Sequence, residues 1–134
     1  MNTTIAYIKQ YTKQPVSFGS ANMKWLGAQY DLWDNVNVDF YDFHWYDWAT
    51  PYFNPAKTPA SSLNLGKPVI IGEMMPDTIN SSLKMTNKQV LDAIYANGYS
   101  GYMPWSWNDP KFDCKPNIGN DFKEFEAEHP DVAR

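Results

Sequence analysis

One cysteine, two histidines and no run of basic residues are what this 134-residue chain has least of. The lone Cys114 excludes an intrachain disulfide and a cysteine-rich zinc site, and leaves the redox compartment open. Two histidines are too few for a histidine-built metal site, and no cofactor or metal is implied. A net charge of −4, with eleven scattered Lys and Arg, argues against a nucleic-acid surface. No apolar stretch approaches the length of a membrane span, and the start, Met1-Asn2-Thr3-Thr4-Ile5, lacks the basic and apolar regions of a signal peptide. Localisation is thus left open.

What the chain has in surplus is aromatic. Six Trp, nine Tyr and seven Phe make up 16% of it, enough for a large core or for a site that stacks flat ligands. The length suits one domain, residues 1–134. Periodicity and punctuation predict strands centred near Phe18, Phe43, Ile71 and Met103. Helices are expected over 3–14 (capped by Thr3 or Thr4, with Ile5, Ile8 and Tyr11 inward), around Trp25, Ala28 and Leu32, and from Thr58-Pro59 to Gly66. Two more are expected around Val90 to Tyr95, stopped by Gly98, and from Asp121 to Glu128 behind Asn120. The order alternates helix and strand at the roughly 30-residue spacing of βαβ units. A whole eight-unit barrel takes roughly 250 residues, so there is room for half of one.

The most informative stretch is Lys67-Pro68-Val69-Ile70-Ile71-Gly72-Glu73-Met74, a β-branched run that reads as a strand buried on both faces. Glutamate is seldom buried unpaired, so Glu73 either lies at the mouth of a site or has a partner. Parallel sheets place their chemistry at the carboxyl ends of strands, which favours a site. The loop from 47 to 58, with Pro51, Pro55 and several aromatics, is long enough to be functional.

Three motifs, Phe43-His44-Trp45-Tyr46, Pro68 to Glu73, and Trp105-Ser106-Trp107, resemble in order and spacing strands six, seven and eight of clan A retaining glycoside hydrolases, most closely family 5 with its cellulases and mannanases. The resemblance implies an α/β fold: half of a (β/α)8 TIM barrel, with four parallel strands equivalent to strands five to eight. It implies a catalytic nucleophile at Glu73, supported by Tyr46 and facing the sugar with His44, and a sugar platform at Trp105 or, by strand parity, Trp107. Trp45 and Trp48, with Tyr52 and Phe53, are further candidates for substrate contacts. The expected ligand is an oligo- or polysaccharide, a β-1,4-glucan or mannan.

The same family places its acid/base after an asparagine at the end of strand four, and the chain contains no Asn-Glu dipeptide. Asp42, Asp47 and Asp109 are the nearest acids in sequence, and none matches that position. Retaining hydrolysis needs both carboxyl groups. The expectation is therefore a fragment of a glycosidase, inactive alone, from a parent that is an enzyme. Rival readings are a carbohydrate-binding module and a half-barrel that closes against the missing amino-terminal half or a second copy.

Overall fold

A computed structural model describes residues 1–25, 33, 35–75, 77–106, 108–109 and 115–132. Four strands, β1 (Ser17–Ser20), β2 (Phe40–Trp45), β3 (Val69–Met74) and β4 (Gly101–Pro104), form one sheet in chain order, each parallel to the next. Parallel neighbours need long crossovers, and helices and loops supply them. This is the α/β arrangement expected of four consecutive barrel strands. The segment around Ala28 and Leu32 lies outside the described residues.

The sheet has one closed and one open face. Tyr41, Phe43 and Trp45 of β2 and Val69, Ile71 and Met74 of β3 are buried against the helices, joined by Val90 and Ile94 of α2 (Asn87–Ala96) and by Trp33 and Tyr99. Phe40, Asp42 and His44 of β2, with Ile70, Gly72 and Glu73 of β3, are half-buried. The expectation of a strand buried on both faces is thus met on the helix side only.

The second helix follows its local signals. Thr86 caps the Gln89 N–H through its hydroxyl, and the Gln89 side chain accepts from the Thr86 N–H in return, a reciprocal capping box. Gly98 stops the helix with φ of 76°, where a side chain would be strained. Val90, Leu91 and Ile94 point inward as expected. Tyr95 instead packs on α3 (Lys115–Glu128), its ring centroid 4.2 Å from that of His129 and 5.7 Å from that of Phe125.

Elsewhere the elements differ from expectation. Helix α1 (Asn2–Ile8) is shorter than the predicted 3–14 and begins behind Met1, with no side-chain cap from Thr3 or Thr4. Only Ile5 is buried, while Ile8 and Tyr11 are exposed. The Asn2 amide instead ties the helix down, donating to the Asn35 carbonyl at 2.7 Å and accepting from the Asn37 N–H at 2.9 Å. The segment after Thr58 is a single 3-10 turn, Ala60–Leu63, with Pro59 as its cap. Helix α3 starts at Lys115, which places Asn120 inside it rather than at its cap. Phe122 and Phe125 are half-buried there, and Ile118 is buried.

Candidate active site

Strand β3 carries one more residue than either neighbour between its matched positions. Phe43 pairs with Ile71 and His44 with Glu73, so Gly72 is unmatched on β2. On the other side, Ile71 pairs with Tyr102 and Met74 with Pro104, again leaving β3 one residue longer. A β-bulge of this kind redirects the side chains that follow it. Here it brings Glu73 alongside His44 on the open face and returns Met74 to the core beside Trp45.

The carboxylate is held from two sides. Tyr46, the first residue after β2, donates its hydroxyl to Glu73 Oε2 at 2.9 Å. His44 Nδ1 lies 3.2 Å from the same oxygen. The Glu73 and His44 side chains are 25% and 29% exposed, enough for a ligand to reach them. The Tyr46 phenol is pushed well above its ordinary value, chiefly by burial and then by its hydrogen bond to Glu73 and that residue's charge. It therefore stays protonated, and a donor, throughout the neutral range. Tyr46→Phe should lower urea-measured stability by about 1–2 kcal/mol, because a half-buried carboxylate loses its hydroxyl partner. A change below about 0.3 kcal/mol would show that water replaces the hydroxyl at no cost.

Trp105 follows β4 directly, and its backbone N–H bonds to the Met74 carbonyl at 2.9 Å, tying the ends of β3 and β4 together. Its side chain is 44% exposed, and its peptide bond to Ser106 is cis. Glu73, Tyr46, His44 and Trp105 thus all sit at the carboxyl ends of adjacent parallel strands.

The other aromatic candidates separate. Trp45 is 1% exposed, its indole N–H bonded to Thr50 Oγ1 at 3.1 Å. This corrects the expectation that it contacts substrate: alternation along β2 puts His44 on the open face and Trp45 on the helix face. Trp48 is exposed, in a 3-10 turn over Asp47–Ala49, and Tyr52 is exposed with Lys24 Nζ 4.6 Å above its ring. Phe53 packs edge-on against core Phe43. Trp107 lies outside the described residues.

Among the acids near the motifs, Asp47 is engaged by Ser82, accepting from its N–H at 2.8 Å and from its hydroxyl. Asp42 stands on the open face of β2 beside Gly72. Sequence reading passed over the bulge, although a glycine within a strand pattern is its usual signal.

No protein family profile matches the chain. A mannan endo-1,4-beta-mannosidase of Mytilus edulis is 34% identical to it over 74 residues, 54% of this chain and 19% of that protein. The endo-1,4-beta-mannanase of Eisenia fetida superposes with a TM-score of 0.72 at 24% identity, covering 92% of this chain and 39% of its own. The beta-1,4-mannanase of the sea hare Aplysia kurodai gives 0.58 at 24% identity, over 79% and 34%. The chain therefore spans well under half the length of each of these proteins. The likeness to clan A glycoside hydrolases of family 5 carried by the three strand-end motifs is thus matched by a mannosidase in sequence and by two mannanases in fold, to part of whose α/β barrels the chain corresponds.

Proposed function

We propose that this chain carries the nucleophile side of a retaining β-1,4-glycan hydrolase site, with mannan the favoured glycan. The observation that carries the reading is the Glu73 carboxylate, oriented by Tyr46 and His44 at the carboxyl ends of parallel strands. In this reading Glu73 attacks the anomeric carbon, the bond from that carbon to the leaving oxygen breaks, and a glycosyl ester forms on the carboxylate. Trp105 offers an exposed indole on which the C–H face of a sugar can pack, and Trp48 is a second exposed indole. The name and fold of the similar mannanases support mannan as the glycan.

The second carboxyl group is supplied from outside these 134 residues, since no asparagine-glutamate pair occurs within them. Asp42 does not match the position of that acid, and its Oδ1 is buried against Gly72. The chain is one partial domain in this view, and its open sheet face is where the rest of a barrel would close. Unaided hydrolysis of mannan is accordingly expected to be negligible, because an alkoxide leaving group requires a proton donor.

A substrate whose leaving group departs as a stable anion needs no such donor. Incubation with 2,4-dinitrophenyl 2-deoxy-2-fluoro-β-mannobioside should release dinitrophenolate once per chain and leave the fluoroglycosyl group on the peptide containing Glu73. The fluorine slows the second step by disfavouring its cation-like transition state, so the ester accumulates. Intact-mass and peptide analysis read the outcome. A label on another residue, or no label at saturating reagent, would overturn the assignment.

A further inference from the structure

The floor beneath Glu73 contains a carboxylate that the proposed chemistry does not use. Asp42 lies two residues before His44 on the same face of β2, between Gly19 of β1 and Gly72 of β3. A methyl group on Gly72 would fall 2.0 Å from Asp42 Oδ1, and one on Gly19 would fall 3.5 Å from Oδ2. The carboxylate therefore occupies the space that a side chain at 72 would fill. Gly72 is also the residue of β3 that has no partner on β2, the point at which the strand is redirected.

Burial raises the Asp42 carboxyl above its ordinary range, and the Glu73 charge adds to this. The neighbouring His44 charge and the Gly72 N–H act in the opposite sense. Oδ1 itself is buried without a hydrogen bond of normal geometry. A buried carboxyl oxygen left without a hydrogen bond costs free energy. Glycine at 72 on its own would leave the bulge loose, since an unsubstituted backbone has more conformations open to it.

We propose that Asp42 is a positioning residue for Glu73: its carboxylate fills the slot over Gly72, holds the bulge in place by that contact, and so keeps the Glu73 side chain against Tyr46 and His44. The purpose of this device rests on Glu73 being a nucleophile. Its test involves no glycoside, so positioning and trapping succeed or fail separately.

Three NMR measurements decide it. In the unmodified chain, the Gly72 amide resonance should move with pH at a midpoint above the ordinary carboxylate range, following Asp42. Asp42→Ala should speed hydrogen exchange at the Gly72 amide at least about tenfold, and should lower the Tyr46 phenol titration by the share that Glu73 contributes, burial keeping the rest. Asp42→Asn, which keeps the shape and an acceptor oxygen, should restore slow exchange and the high Tyr46 titration. A Gly72 amide that ignores pH in the unmodified chain overturns the proposal even where the variants do not fold. So does an Asp42→Ala chain in which exchange and the Tyr46 titration are unchanged.

Discussion

Glu73→Gln should slow covalent trapping by the fluorinated mannobioside at least about 1,000-fold, the scale on which a lost nucleophile is felt. An amide oxygen is a far poorer nucleophile than a carboxylate, while its shape is nearly the same. The glutamine carbonyl can still accept the Tyr46 hydroxyl, so the fold around it should persist and stability should change by no more than about 1 kcal/mol. The pairing of outcomes gives the experiment its force. Lost trapping with unchanged unfolding assigns the chemistry to Glu73, whereas trapping within tenfold of the unmodified chain would place the nucleophile elsewhere.

The largest expected effect on stability lies directly beneath the site. Phe43 is fully buried, with ring centroids 5.8 Å from Phe53, 6.1 Å from Tyr99 and 6.4 Å from Trp33. It belongs to β2 yet touches the loop after that strand and Tyr99, two residues before β4, so it joins segments far apart in sequence. Phe43→Ala should cost about 3–5 kcal/mol in urea unfolding, through lost transfer energy and the cavity left behind. That is a large share of the 5–15 kcal/mol typical of a whole domain. Because His44 and Tyr46 are carried by the same strand, the variant should also loosen the grip on Glu73. A loss below about 1 kcal/mol would mean that the aromatic cluster is not packed as described.

How far the fold could be read from sequence depended on whether local and tertiary signals agreed. At α2 they agreed: Gly98 marks its stop, and the apolar spacing of Val90, Leu91 and Ile94 its inward face. At α3 they conflicted. Lys115 to Gly119 includes proline and glycine and reads poorly as helix, yet Ile118 is buried there and packing prevails. The strands were legible because β-branched and aromatic runs are bounded by Pro, Gly and Asn, and the three motifs placed their carboxyl ends together. Which way a side chain faces was less legible. Simple alternation groups Glu73 with Val69 and Ile71, on the helix side, and only the pairing with β2 and β4 reveals that it faces the other way. Trp45 failed as a ligand contact for the complementary reason: alternation along β2 is unbroken and carries it into the core.

The bulge at Gly72 has one more consequence. The segments on its two sides run half a period out of step, so the position of Glu73 depends on residue count as much as on residue type. Without the bulge, a strand of the same length would turn Glu73 to the helix face and Met74 to the open one. Point substitutions can probe what Glu73 does, but a reading frame of one residue decides whether it is in the site at all.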